Sequence, residues 1–317
     1  MFNSHVSSHF CHQAFPYEGM EDFVAGVYAY VAEGVERGEA ILVIADAAKL
    51  ALLDTRLDSS WPVEKVRIDA LGGNPARMTS LWLDFAASAR AGGGSFRGVG
   101  EPLSAPCGED ALSEYHKQES LLNAAFLGSP RWNLLCAYDT STLSGPVVQQ
   151  ALAAHPLLFG NGRTEQNPGF CPQSEQEILA TYPLEEVPGP PIEASVYSGS
   201  LPSLRGLLRD QASRASLGAA RTEELVLAVN ELATNSLRHG GGKGLMRIWH
   251  KDDGLVVEMS DSGRIKDCLA GIARPRVDGE SGRGLWLVNQ LCDLVQLRSS
   301  SSGTVVRVHM RARNAGI

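Results

Sequence analysis

Two α/β domains in tandem are what this sequence calls for, the first built on a mostly parallel sheet and the second a sandwich of helices on a sheet. The first sign is alternation. From Asp22 to Tyr138, amphipathic helical stretches are interleaved with short, continuous apolar runs of the kind that become strands covered on both faces. The second is a break in composition from Phe159 to Pro191, where prolines and glycines crowd together with acidic residues between them. The third is an amphipathic helix over Glu223 to Gly242 followed by strand-like runs, which suits helices gathered on one face of an antiparallel sheet.

Bulk properties agree. A chain of 317 residues can bury two cores, and 44% hydrophobic with 20% charged residues describes a globular protein. A net charge of −8 argues against a general nucleic-acid binder. The N-terminus has no basic segment leading into an apolar run, so no secretory signal is expected. No apolar stretch approaches the roughly 20 residues that span a bilayer. The 6 cysteines are scattered without CxxC spacing, as reduced thiols of a cytoplasmic protein would be.

Taken in order, Asp22 to Gly38 is read as a helix burying Phe23, Val27, Tyr30, Val31 and Val35. Ala40 to Ala45 is a strand, Lys49 to Leu57 a helix and Val63 to Asp69 a strand. A turn over Gly72 to Arg77 enters a helix around Trp82, and Gly92 to Gly94 form a loop ahead of Arg97 to Pro102. Glu114 to Phe126 is helical, and Trp132 to Tyr138 is a buried strand with Asp139 just past its end. Ligands of α/β sheets gather past the carboxyl ends of strands. Asn74, Arg77, Arg97, Glu101 and Asp139 are therefore candidates for binding a small molecule, although Arg97 and Glu101 read equally well as a pair that pins a loop. His5, His9, Cys11 and His12 tempt a metal reading. No matching ligand cluster follows nearby, and a loose terminus is preferred. Cys136, inside an apolar run, is read as an inert core thiol.

The stretches HQAFPY, ERGEAILVIA, GGNPARM, RGVGEP, HKQESLLNAAF, LLCAYD and His155-Pro156 cover roughly residues 9 to 158 and resemble the MEDS family of bacterial sensory domains. The resemblance implies a RecA-like or KaiC-like α/β core that senses a small molecule of unidentified chemistry. There is no GxxxxGK[ST], so P-loop hydrolysis is not expected. A sensory domain over 1–160, a linker over 161–192 and a second domain over 193–317 follow, with a short helix near Glu175 to Thr181 and a stiff PGPP at 188–191.

In the second half, Pro202 to Ser216 is an amphipathic helix. The next helix buries Leu225, Ala228, Val229, Leu232, Ala233 and Leu237, and carries Glu231 and Asn235 four residues apart on one face. A carboxylate that can take a proton beside an amide oxygen that can meet a hard cation would explain them; a surface pair is the plainer alternative. Strand-like Gly244 to His250 and Leu255 to Ser260 follow, the latter running into Asp261-x-Gly263. Gly282 to Val288 (GRGLWLV) opens a helix whose free N–H groups suit phosphate. Strands near Val295 to Arg298 and Thr304 to Met310 complete the chain.

The order ExxxN, DxG, GxGL and a last GT before a strand resembles the ATP-binding domain of the GHKL superfamily, shared by gyrase, histidine kinases and the anti-sigma-factor serine kinases. The compact length and short interval between DxG and GxGL are most similar to the anti-sigma kinases. The resemblance implies a Bergerat-type α/β sandwich that binds ATP and Mg²⁺. By motif position, Glu231 would orient or deprotonate the attacking group, Asn235 would hold Mg²⁺, and Asp261 would accept the adenine amino group with Gly263 beneath it. Gly282, Arg283, Gly284 and Leu285 would hold phosphate, Thr304 would reach the adenine side, and Arg264 to Ser281 would form the lid. Ile265 departs from the frequent DxGxG. Glu119 and Asn123 repeat the ExxxN spacing with no DxG or GxGL behind them, and are read as coincidence.

The activity so implied is an ATP-dependent serine/threonine protein kinase acting on an anti-anti-sigma (STAS-type) protein and controlled by the first domain. A non-catalytic, ATP-gated binder of a sigma factor is the alternative. A histidine kinase component is disfavoured, since His116 precedes Lys117 and His239 merely ends the ExxxN helix. No nucleic-acid or membrane partner is expected, and the oligomeric state is left open between monomer and homodimer.

Overall fold

The computed structural model describes residues 10–103, 109–127, 132–180, 182, 184–275 and 282–312. The chain divides into two compact units, residues 1–72 with 81–173 and residues 73–80 with 174–317. No helix among the described residues is long and apolar enough to cross a membrane.

The first unit is an α/β layer structure. Its elements run β1 (Phe10–Tyr17), α1 (Gly19–Glu36), β2 (Ala40–Ala45), α2 (Ala47–Asp54), β3 (Val63–Arg67), α3 (Pro75–Ala91, of which residues 75–80 group with the second unit), β4 (Phe96–Gly100), α4 (Glu109–Ala125), β5 (Trp132–Asp139), α5 (Gly145–Ala153), β6 (Leu157–Gly160) and β7 (Arg163–Gln166). The described strands form a seven-stranded sheet in the order β3-β2-β4-β5-β1-β6-β7. Every pair is parallel except the β6–β7 hairpin, so β2 and β5 need apolar cover on both faces, and Ile41 to Ala45 are buried throughout. Asp46 starts α2 by accepting a hydrogen bond from the Lys49 amide at 2.8 Å. Asp46→Ala should cost about 1 kcal/mol, the usual loss for a helix cap, read as a lower midpoint in chemical denaturation.

Three segments differ from the sequence reading. Phe10–Tyr17 is a central strand between β5 and β6, which places His12 in the core rather than in a loose terminus; His5 and His9 lie outside the described residues. Arg97 sits inside a fully buried strand, not on a loop. Arg163–Gln166, within the stretch expected to be linker, forms the edge strand of the sheet.

The second unit runs α6 (Glu175–Ala180), β8 (Ile192–Val196), α7 (Leu201–Arg214), α8 (Ala219–His239), β9 (Gly244–Lys251), β10 (Gly254–Asp261), α9 (Arg283–Leu291), β11 (Leu294–Ser300) and β12 (Gly303–Arg311). Its described strands form an antiparallel sheet, β11-β12-β10-β9-β8. The apolar stripe of α8 packs in one core with Leu204 and Leu208 of α7, Val288 of α9 and Val257, Met259 and Val308 of the sheet. The proline-rich segment before β8 is pinned to this unit: Trp249 donates to the Gly189 carbonyl at 3.2 Å and Arg307 to that of Glu185 at 2.7 Å.

Candidate functional site

The buried stripe of α8 fixes the rotation of that helix, and Glu231 and Asn235 ride half-buried at its margin. Antiparallel register brings the end of β10 beside them, with Asp261 opposite Thr304 of β12. Asp261 is held by both oxygens: Ser236 donates to Oδ2 at 2.6 Å and the Gly263 amide to Oδ1 at 2.8 Å. Thr304 donates to the Gly263 carbonyl at 2.9 Å, and Ser299 contacts Thr304 while accepting from the Ile265 amide at 2.9 Å. The turn is drawn in so tightly that a Cβ on Gly263 would stand 2.6 Å from the His239 carbonyl oxygen. Only glycine fits there.

The glycines of GRGL close the other side. Gly282 caps α9 in the left-handed region at φ 87°, and the first-turn N–H groups of the helix have no acceptor within it. This turn lies against α8, where a Cβ on Gly284 would be 2.7 Å from Glu231 Oε2. Glu231, Asn235, Asp261, Gly263, the Gly282–Leu285 turn and Thr304 all line one cavity of about 810 Å³. From the expected lid, Arg264, Ile265, Asp267 and most of residues 269–275 contribute to its wall; residues 276–281, its C-terminal part, lie outside the described residues. A buttressed carboxylate at one place can accept an amino group, while a helix N-terminus beside a carboxylate and an amide suits an anion with its counter-cation. Ser236 and Ser299 were not picked out from sequence, because their work depends on the pairing of α8, β10, β11 and β12.

The five residues proposed to meet a small molecule do not converge. Glu101 and Asp139 stand at the carboxyl ends of β4 and β5. Glu101 accepts from Lys49 at 2.6 Å and from the Tyr17 hydroxyl, and burial raises its carboxyl above the usual range against the pull of those donors. Asp139 accepts from Ser141 and from the Gly19 amide. Arg97 sits near the amino end of β4, donating to Glu39 and the Tyr30 carbonyl at 2.6 Å each and to Glu33 at 2.9 Å. Residues 73–80 group with the second unit, where Asn74 donates to Asn289 and Arg77 to the carbonyls of Asn289, Gln290 and Cys292.

Comparison with known proteins adds the following. Residues 11–156 match the model of the MEDS family (MEthanogen/methylotroph, DcmR Sensory domain), and residues 197–310 match that of the histidine kinase-like ATPase domain. Among solved structures, the RsbU and RsbW domains of a Mycobacterium tuberculosis protein align with a TM-score of 0.31 and 18% identity, covering 40% of this chain and 34% of that one. No curated protein gives a significant match. With a parallel sheet in the first unit and the antiparallel sandwich with its gathered motifs in the second, the chain is a MEDS domain over residues 11–156 joined to a GHKL-type, histidine kinase-like ATPase domain over residues 197–310.

Proposed function

We propose that the protein is an ATP-dependent serine/threonine kinase of the anti-sigma-factor type, acting on a STAS-type anti-anti-sigma protein under control of its MEDS domain. The observation that carries this reading is the single cavity in which the carboxylate of DxG, the glycine turn of GxGL and the Glu231–Asn235 pair meet. Asp261 accepts the adenine amino group, and the first-turn N–H groups of α9 hold phosphate oxygens. The residues present suit a magnesium ion: Asn235 would hold it, and the ion would supply positive charge that offsets the negative charge developed in transfer. Glu231 takes the proton from the attacking serine or threonine hydroxyl as its oxygen bonds the γ-phosphorus and ADP departs. A half-buried carboxylate pressed against the phosphate-binding turn favours turnover over a purely ATP-gated clasp.

The first domain would bind its ligand at the edge carrying Glu101 and Asp139. It can alter output only by binding one arrangement of the chain better than another, and a coupling of about 1–3 kcal/mol gives roughly 5- to 150-fold control.

The test incubates the full chain with ATP, magnesium and STAS-type proteins and analyses phosphoamino acids. Phosphoserine or phosphothreonine on the partner is expected. Capture of the partner without phosphate would overturn the kinase reading. Ser236→Ala, which frees one oxygen of Asp261, should weaken ATP binding several-fold, about 1 kcal/mol, by calorimetry.

A further inference from the structure

His12 of β1, Glu119 of α4, Cys136 of β5 and His155 ahead of β6 meet in the core of the first unit, each no more than 2% exposed. One ligand atom from each lies within 4.8 Å of the others. We propose that these four side chains bind a divalent transition-metal ion of the zinc class.

The hydrogen bonds around the two imidazoles fix their tautomers. His155 Nδ1 lies 2.8 Å from the Ala151 carbonyl, which can only accept, so that nitrogen carries the proton. Asn123 donates its amide nitrogen to the Ala154 carbonyl at 2.8 Å, which turns its oxygen toward His12 Nδ1 at 3.1 Å and makes that nitrogen a donor too. Both Nε2 atoms therefore present lone pairs, and both point at the same carboxylate oxygen, Glu119 Oε2, at 3.2 and 3.1 Å. Glu119 Oε2 and His155 Nε2 have no hydrogen-bond partner. The Cys136 thiol, 3.4 Å from His12 Nε2, supplies one proton to this group of acceptors.

A cation at the centre removes the conflict. Metal–ligand distances of about 2.0–2.1 Å to nitrogen and oxygen and about 2.3 Å to sulfur give tetrahedral edges of roughly 3.3–3.6 Å for one sulfur among the four ligands. The separations of 3.1, 3.2 and 3.4 Å need only a small expansion, and the remaining pairs, none above 4.8 Å, need at most to draw in by about 1 Å. Two neutral imidazoles, a carboxylate and a thiolate balance a charge of +2, with the Cys136 proton released to solvent on binding. Nitrogen and sulfur donors select zinc, cobalt or ferrous iron over magnesium and calcium. Asn123 and the Ala151 carbonyl hold the far nitrogens of both rings as outer-shell partners of metal-bound histidines do. Four protein ligands make a closed, structural site that ties β1, α4, β5 and the His155 segment together.

The full chain, produced in zinc-supplemented medium and passed through gel filtration in mild chelator, should retain about one zinc per chain by elemental analysis. Cys136→Ser and His155→Gln should lose most of it, whereas removing residues 1–9, which carry His5 and His9, should not change it. Full-length protein refolded with cobalt should show the intense visible bands of a tetrahedral site and a near-ultraviolet thiolate charge-transfer band, the latter absent in Cys136→Ser. Should the variants fail to fold, the cobalt spectrum of the parent chain decides. Background metal with no visible cobalt bands, equal zinc in the variants, or loss of zinc on removing residues 1–9 would overturn the assignment.

Discussion

Asp261→Asn is expected to abolish measurable ATP binding. The carboxylate already accepts from the Ser236 hydroxyl and the Gly263 amide, one bond on each oxygen, and its remaining lone pairs are left for the exocyclic amino group of adenine. An amide in its place has one accepting oxygen. With that oxygen toward Ser236, the NH₂ group faces the Gly263 N–H, donor against donor; with it toward Gly263, the Ser236 hydroxyl must turn to accept, and in either orientation the charge that holds the adenine amino group is gone. The loss should exceed roughly 1.5 kcal/mol, the lower end for a hydrogen bond to a charged group, or more than about tenfold in affinity by calorimetry. An unchanged affinity would mean that the base sits elsewhere.

The second large effect separates chemistry from binding. Glu231→Ala should hold ATP affinity within a few-fold yet slow phosphotransfer by about 10² or more, the ordinary contribution of a positioned general base. The space beside Gly284 argues for pairing it with Glu231→Gln, which keeps the side chain's shape against the Gly282–Leu285 turn but cannot take a proton. Both should transfer slowly if proton acceptance is the role; a fast Gln variant would reduce Glu231 to a spacer. Asn235→Ala should instead lose the part of ATP affinity that depends on magnesium. Transfer at the parent rate in all three would remove α8 from the mechanism.

How much of this was legible in the sequence differs between the halves. In the second, the spacing of short motifs pointed to residues that the fold then gathers on one cavity, because DxG and GxGL sit at element ends and ExxxN rides a helix whose buried stripe fixes its rotation. Its first strand, Ile192–Val196, was not read as one: it lies on the sheet edge with most of its side chains exposed, so no apolar run marks it. In the first half, Arg97-Gly98-Val99-Gly100 reads as loop, yet Gly98 is where the Trp82 ring lies on β4, and a Cβ there would be 2.7 Å from that ring. The polar letters of FCHQAFPY hid a central strand, since His12 and Gln13 are buried with partners distant in sequence. Glu119 and Asn123, dismissed as a chance echo of ExxxN, stand at the buried histidine cluster. That cluster joins four segments separated by up to 143 residues, and no local pattern could have assembled it.

Calorimetric titration of the full chain with ATP and with GTP, both with magnesium, tests most directly whether the second domain reads adenine through Asp261. Guanine presents a carbonyl oxygen where adenine presents its amino group, and so sets an acceptor against the carboxylate. ATP should bind with GTP at least about tenfold weaker. Equal affinity for the two, or no binding of ATP, would contradict the assignment.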